Sequence, residues 1–230
     1  MDKLEWDSKF WNIDIFNMNQ EYNFLALNKL NKEKHSPFLI QSLIDINEVE
    51  IINQLEDRGF RYIETKINFK KKVKEVVEIN EENYKCVLYK DIKRYKNIFG
   101  QLYYEFSRYN IFEFKKVNEF YYTWVVNSIE GKMDDKCIGY YINGDLSGFI
   151  TYRIRNNKLI VGLIGVFPDF QNRGIGQKLL DKVTNETFEN NYNIINISTQ
   201  GTNYNAINAY IKNGFVVKDI KNWYYLIKGR

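Results

Sequence analysis

The residues that could do chemistry are concentrated between Val166 and Gln177, where two glycines stand close together at Gly174 and Gly176. An apolar run precedes this segment and an amphipathic pattern follows it, so it predicts a loop that leads from a strand into a helix. Glycines lack a β-carbon, and they let backbone N–H groups approach an anion closely at the positive end of a helix dipole. The segment therefore predicts a phosphate-binding loop.

Two other phosphate loops fit this segment less well. No Gly-Lys-Ser/Thr ending follows Gly165 at the Walker spacing, and no third glycine completes a dinucleotide fingerprint after Gly176. Neither ATP nor NAD is therefore supported. The alternative to a phosphate-binding loop is a tight strand-to-helix turn that binds no ligand. The order of strands around the loop disfavours this alternative.

A second set of residues lies at helical spacing nearer the C-terminus. Asn203 suits a helix N-cap, and Gly214 suits the left-handed residue just past the end of the same helix. Ala206 and Tyr210 then share one helical face, with a short side chain beside a long one. This arrangement leaves room for a ligand next to a phenol.

The elements that position these residues form an α+β domain. Asn143-Gly144 predicts a type I′ hairpin turn between strands at residues 137–142 and 145–154, because asparagine and glycine accept positive φ angles. A third strand at residues 159–167 is followed by the helix of the loop, a strand, a second helix and closing strands at residues 215–217 and 223–227. We predict this domain at residues 83–230, and it begins with a strand at residues 86–89 and helices at residues 98–108 and 117–129. A smaller α/β domain precedes it at residues 1–82. This smaller domain has extended segments at residues 13–16 and 38–44, a helix at residues 47–58 and a strand at residues 60–69, and it ends in the charged segment 70–82.

Composition excludes several classes of protein. The chain has 230 residues, 44% of them hydrophobic, and a net charge of +4, which is typical of a folded globular protein. One histidine, His35, and two distant cysteines, Cys86 and Cys137, predict neither a metal site nor a disulfide framework. The lysines are scattered, and no leader or membrane segment is evident, so we predict a cytoplasmic protein that binds neither nucleic acid nor membrane.

The loop and the second helix together resemble the GCN5-related N-acetyltransferase (GNAT) superfamily, in which a Gln/Arg-x-x-Gly-x-Gly/Ala loop binds the pyrophosphate of acetyl-CoA. The resemblance implies a mixed, mostly antiparallel sheet flanked by helices. It implies that the strand at residues 163–166 splays from its neighbour and pairs with the pantetheine arm, that Asn203 contacts the cofactor, and that Tyr210 protonates the departing thiolate. The cofactor residues it implies are Ile164, Gly165, Val166, Gln171, Asn172, Arg173, Gly174, Ile175, Gly176, Gln177 and Asn203.

Further stretches resemble the branch of this superfamily that acetylates the 4-amine of dTDP-4-amino-4,6-dideoxygalactose in surface-glycan synthesis. They lie at residues 4–11, 59–64, 106–109 and 120–128, with Thr199-Gln200 ahead of Asn203. Glu64 matches a glutamate placed to take the amine proton through water, and Phe10, Trp11 and Arg108 are implied to bind the sugar nucleotide. For these four residues core packing or surface pairing is an equal alternative.

Other functions stay open on the sequence alone. The same chemistry could serve a polyamine, an antibiotic or a protein amine, because the cofactor loop says nothing about the acceptor. A module that binds coenzyme A or nucleic acid without turnover is a further alternative. The resemblance also implies a homodimer, and the N-terminal domain is expected to help shape the acceptor site.

Overall fold

The computed structural model describes residues 1–18, 24–33 and 36–229, and its backbone divides into two compact units. The first unit comprises Met1–Ile67 and Asp219–Arg230, and the second comprises Asn68–Lys218. His35 lies outside the described residues. Two strands, β4 (Arg61–Lys72) and β10 (Val216–Lys228), run through the division.

Over its described residues, the first unit combines strands with three helices. Its other elements in chain order are β1 (Asp2–Lys3), α1 (Glu5–Trp11), β2 (Asp14–Met18), α2 (Phe24–Glu33), β3 (Phe38–Asp45) and α3 (Val49–Asp57). Strand β3 pairs in parallel with β2 and antiparallel with the last part of β10. The sequence predicted β2, β3 and α3, and it missed α1 and α2.

The core of the first unit forms where β3, β10 and the helices meet. Because alternate side chains of a strand point to opposite faces, Phe38, Ile40 and Ile44 of β3 share one buried face. Leu55 of α3 packs against it and is fully buried. Helix α3 then ends before Gly59, whose φ of +86° is the left-handed conformation expected of a residue that ends a helix.

The second unit contains the predicted loop and both helices that flank it. Its elements are β5 (Tyr84–Cys86), α4 (Tyr89–Lys93), α5 (Phe99–Tyr103), α6 (Phe114–Ile129), β6 (Lys136–Ile142), β7 (Asp145–Arg155), β8 (Lys158–Val166), α7 (Ile175–Glu189), β9 (Ile194–Gln200) and α8 (Tyr204–Lys212). The strand order is β9-β8-β7-β6-β5, parallel between β8 and β9 and antiparallel elsewhere. The predicted α+β class with a mixed, mostly antiparallel sheet is confirmed.

Helices cover both faces of this sheet. A Cβ added at Gly148 of β7 would meet Ile175 and Leu179 of α7, whereas one added at Gly165 of β8 would meet Tyr103 of α5. Gly148 pairs with Val166, the neighbour of Gly165, and neighbouring residues of a strand face opposite sides. Helix α7 therefore packs on one face and α5 on the other.

The division of the chain differs from the predicted boundary after residue 82. Residues 68–82 belong to the second unit, in which the Val77 backbone exchanges two hydrogen bonds of 2.8 Å with the Asn185 side chain. The last residues belong to the first unit because β10 pairs with β3 from Lys221 to Lys228. Charge along residues 70–82 indicated an exposed segment, and it did not indicate which unit that segment contacts.

Two strand predictions are corrected, and the hairpin is confirmed. Residues 215–217 and 223–227 were predicted as separate strands, but β10 is one continuous strand that includes residues 218–222. The strand predicted to reach Tyr89 ends at Cys86, and Tyr89 begins α4. Asn143 and Gly144 have φ angles of +51° and +86°, as a type I′ turn requires.

Candidate functional site

The predicted phosphate loop connects β8 to α7. A 3-10 turn at Pro168–Phe170 follows the strand, and Gly174 is the N-cap of α7 with a φ of +71°. No side chain caps the first turn of α7, so its N–H groups point away from the helix without a side-chain partner. Such a helix N-terminus, preceded by a left-handed glycine, can bind an anion.

The space around the two loop glycines is open. A Cβ added at Gly174 or Gly176 would meet no atom within 4 Å. Gly148 differs, since its added Cβ would lie 2.8 Å from the Gly165 carbonyl oxygen. Packing therefore accounts for Gly148, and the left-handed φ accounts for Gly174. Neither packing nor a left-handed backbone explains the glycine at position 176. The absence of a side chain there leaves room for a ligand.

The other predicted loop residues divide between exposed and buried positions. Gln171, Asn172 and Arg173 are exposed, and the Gln171 amide donates a 3.1 Å hydrogen bond to the Val166 carbonyl. Ile175 is 2% exposed, so only its backbone is available to a ligand. Gln177 hydrogen-bonds Asp181 and Asn213 with its side-chain amide.

Strand β8 separates from β9 before the loop. The parallel pairing of the two strands ends at Ile160 and Asn196, although β8 continues to Val166 and β9 to Gln200. The splay that the resemblance implied for residues 163–166 is therefore present. It leaves one edge of β8 unpaired over these residues.

Two residues of β8 turn their backbone toward this gap. The N–H groups of Leu163 and Phe167 donate to Thr151 Oγ1 at 2.9 Å and to the Ser147 carbonyl at 3.0 Å, both on the β7 side. Because consecutive residues of a strand direct their N–H and C=O groups to opposite sides, those of Ile164 and Val166 face the gap. They can pair with an extended ligand as a further strand would.

Helix α8 carries the predicted phenol. Asn203 is its N-cap and accepts a 3.2 Å hydrogen bond from the Ala206 N–H, and Gly214 follows the helix with a φ of +77°. Both cap predictions are confirmed. Tyr210 is 4% exposed, and its ring lies 5.6 Å from that of Phe69 and 5.9 Å from that of Phe215.

The Tyr210 hydroxyl has no hydrogen-bond partner among the residues that the structure describes. Burial raises the pKa of Tyr210 above the ordinary value of 10, because the ionised phenolate would lie in apolar surroundings. The group is therefore protonated at neutral pH. It can serve as a proton donor and not as a base.

The four residues implied to act as the base or to bind the sugar nucleotide are divided between the two units. Glu64, Phe10 and Trp11 belong to the first unit, where Glu64 is half-buried on β4 and Trp11 is 6% exposed beside Phe10. Arg108 belongs to the second unit, and its guanidinium lies 4.3 Å from the Tyr109 ring centre and donates to the Tyr109 hydroxyl. Their roles in catalysis or sugar binding stay predictions.

The sequence reasoning missed Tyr103. Its hydroxyl donates a 3.0 Å hydrogen bond to the carbonyl of Ile164, one of the two residues that face the gap. The helix that contains Tyr103 was expected, but nothing distinguishes this residue from the other tyrosines of a chain that has 18 of them. Its position depends on tertiary packing of α5, which no local pattern encodes.

Two other features are absent from the described part of the chain. No three His, Cys, Asp or Glu side chains lie close enough together there to hold a metal ion. None of the helices described has the length and apolar character needed to cross a membrane.

Comparison with known proteins identifies the family. The model of the acetyltransferase (GNAT) family matches residues 99–215, just over half of the chain. The chain belongs to the GNAT family. The match contains the β8 splay, the glycine loop and α8. Enzymes of this family use acetyl-CoA as co-substrate, and the open loop and unpaired strand edge described above fit such a molecule.

Two curated relatives each match about half of this chain. The dTDP-fucosamine acetyltransferase of Escherichia coli O6:H1 is 28% identical over 108 residues, which are 46% of each chain. The spore coat polysaccharide biosynthesis protein SpsD of Bacillus subtilis is 24% identical over 113 residues, 49% of this chain and 39% of SpsD. The chain thus matches less than half the length of either relative.

Solved structures support the fold of this GNAT protein. A GCN5-related N-acetyltransferase from Sphaerobacter thermophilus aligns over 90% of this chain and 66% of its own, with a TM-score of 0.61 and 15% identity. One from Kribbella flavida aligns over 94% and 82%, with a TM-score of 0.58 and 11% identity. At these identities the likeness concerns the fold alone.

Proposed function

We propose that the protein is an N-acetyltransferase that transfers the acetyl group of acetyl-CoA to an amine. The observation that carries the proposal is the unpaired edge of β8 beyond Ile160, which leads directly into the open glycine loop. The amide-bearing arm of the coenzyme can pair with Ile164 and Val166, while its pyrophosphate meets the N-terminus of α7. Family membership supports the same donor.

The reaction needs two hydrogen donors. A neutral amine attacks the thioester carbon, an oxyanion forms, and the C–S bond then breaks to release a thiolate. A backbone N–H in the unpaired segment Ile164–Val166 can stabilise the oxyanion, and Tyr210 can give its proton to the thiolate. The amine nitrogen loses its proton to solvent as the amide forms, and the Tyr210 phenolate regains a proton from solvent. The raised pKa of Tyr210 keeps the phenol protonated at neutral pH, so a proton is present when the C–S bond breaks.

We further propose that the acceptor is a nucleotide-linked amino sugar of the dTDP-4-amino-4,6-dideoxyhexose type. The support comes from the relative named dTDP-fucosamine acetyltransferase and from SpsD, which is named for spore coat polysaccharide synthesis. Both matches cover about half of the chain. Surface-glycan synthesis would then be the process that uses the product.

Release of free CoA measures both parts of the proposal. Acetyl-CoA is offered with dTDP-4-amino-4,6-dideoxygalactose, with spermidine and with a lysine-containing peptide, and thiol is recorded against controls that lack either amine or enzyme. We expect the highest kcat/KM with the sugar nucleotide. A preference for spermidine or peptide would reject the sugar, and no amine-dependent thiol from any acceptor would reject the enzyme.

A further inference from the structure

Tyr103 brings a second phenol to the gap beside β8. It is the last residue of α5, and its hydroxyl donates a 3.0 Å hydrogen bond to the Ile164 carbonyl. Ile164 is also one of the two residues whose backbone faces the gap. A phenol oxygen therefore lies beside the part of the strand along which the proposed donor binds.

The glycine at position 165 makes this close approach possible. A Cβ added to Gly165 would lie 2.7 Å from the Tyr103 hydroxyl oxygen, closer than Cβ atoms come to other atoms. It would also lie 3.0 Å from Cε1 of Phe149, which packs beneath the same residue. Any other residue at this position would push the phenol away from the strand.

A chain of contacts fixes the orientation of the Tyr103 ring. It stacks on the ring of Tyr121 with centres 4.5 Å apart and planes inclined by 29°. The Tyr121 hydroxyl in turn donates a 2.8 Å hydrogen bond to Ser107 Oγ, and Ser107 is 1% exposed. The hydroxyl of Tyr103 is thus held in place by packing on α6 as well as by its own hydrogen bond.

The Tyr103 hydroxyl can accept a hydrogen bond but cannot act as a base. Burial raises its pKa well above 10, and the nearby phenols of Tyr121 and Tyr210 raise it further. Its hydrogen is directed to the Ile164 carbonyl, so only the lone pairs of its oxygen are available to a ligand. A neutral amine has the opposite requirement, because it donates through N–H and must aim its lone pair at the thioester carbon.

We propose that Tyr103 orients the acceptor amine, its phenol oxygen accepting an N–H hydrogen bond beside Ile164 while Tyr210 serves the leaving thiolate. This inference rests on acetyl transfer in the gap, as proposed above. No covalent bond to Tyr103 forms or breaks. As the amine nitrogen gains positive charge during attack, the hydrogen bond strengthens, so its main effect falls on the transition state.

The test is a Tyr103→Phe variant, which keeps the stacked ring and removes only the oxygen. With the fastest amine of the panel above, we expect kcat to fall roughly 10- to 100-fold. The acetyl-CoA KM and the dissociation constant of CoA, measured by calorimetry, should stay within about twofold of the wild-type values. Tyr104→Phe is the matched control, since its hydroxyl donates to the Asn110 carbonyl at 3.2 Å.

Two results would overturn the inference. One is an unchanged kcat in Tyr103→Phe, and the other is a rise in the acetyl-CoA KM without a fall in kcat, which would assign the phenol to the donor. Binding of CoA by Tyr103→Phe shows that this variant is folded. If Tyr103→Phe does not fold, Gly165→Ala tests the same contact from the side of the strand. Failure of the proposed function is seen separately, as absent or non-sugar activity in the wild-type protein.

Discussion

The two halves of β8 have different surroundings. From Lys158 to Ile160 the strand pairs with both β7 and β9, whereas from Ile164 to Val166 it pairs with β7 alone. Gly162 lies between these two halves, and a Cβ added there would overlap the Asp134 carboxylate. The unpaired half leads to Gly174 and Gly176, where an added Cβ would meet nothing within 4 Å. Glycines along one short stretch thus serve protein packing at one end and leave space for a ligand at the other.

Asp134 forms several hydrogen bonds beside the paired half of β8. Its side chain is fully buried, and it accepts hydrogen bonds from Thr151 Oγ1 at 2.6 Å, Trp124 Nε1 at 3.0 Å and the Arg153 guanidinium at 2.8 Å. Thr151 also accepts the Leu163 N–H, at the point where the register of β7 and β8 shifts. The carboxylate is therefore linked to the irregularity that precedes the unpaired half. Substitutions in the paired half should change stability, and those around the unpaired half should change kinetics.

The largest expected effect is that of Tyr210→Phe on turnover. Loss of the proton donor should lower kcat by roughly 10²–10⁴-fold, while the ring contacts with Phe69 and Phe215 keep the melting temperature near the wild-type value. Because the pKa of Tyr210 is raised, wild-type kcat should not decline through this group until the pH exceeds about 10. Steady-state kinetics across pH and thermal unfolding measure both.

Tyr204→Phe provides the control for that variant. Tyr204 lies on the same helix with 69% of its surface exposed, and its loss of a hydroxyl should leave kcat unchanged. A wild-type kcat in Tyr210→Phe would show that Tyr210 is a packing residue. The thiolate that leaves beside the unpaired half of β8 would then need another proton donor.

The next largest effect is expected in the paired half, on stability. Asp134→Asn removes a buried charge that faces Arg153 and should lower the free energy of unfolding by about 3 kcal/mol, measured by urea denaturation. The matched Asp135→Asn change affects an exposed pair with Arg155 and should cost about 1 kcal/mol or less. Equal losses in the two variants would contradict the structural role assigned to Asp134.

The parts of the site that the sequence predicted are those with local causes. Asn203 and Gly214 delimit α8 because a cap and a left-handed glycine act on their own helix. Asn143-Gly144 defines its turn for the same reason, and Gly174 begins α7. Such features need no knowledge of distant residues, so composition and spacing suffice to find them.

The parts that the sequence did not reveal depend on tertiary contacts. Asp134 follows a helix in a polar stretch that is typical of an exposed turn, yet folding buries it against strands β7 and β8. Tyr103 reaches Ile164 only because α5 crosses the position of Gly165. The continuity of β10 likewise depends on its pairing with β3, which extends through Lys221 and Asn222 and outweighs their weak strand propensity.

The smallest effect gives the sharpest contrast between the two kinds of glycine. Gly176→Ala adds a methyl group in the first turn of α7, where it would meet no atom within 4 Å apart from its chain neighbours and the backbone of its own helix. The better helix propensity of alanine should therefore raise the free energy of unfolding by up to about 1 kcal/mol. The same methyl group would project into the space assigned to the pyrophosphate. We therefore expect the acetyl-CoA KM to rise about tenfold, equivalent to 1.4 kcal/mol.

Gly148→Ala is the counterpart for this last experiment. Its Cβ would lie 2.8 Å from the Gly165 carbonyl oxygen and 3.1 Å from Cγ2 of Ile175, so the free energy of unfolding should fall by about 1–3 kcal/mol. Opposite signs for the two alanine variants in urea denaturation would support the distinction between a packing glycine and a ligand glycine. A Gly176→Ala protein that is more stable and binds acetyl-CoA as tightly as the wild type would show that the space beside Gly176 belongs to solvent, and the pyrophosphate would then have to bind elsewhere on the loop.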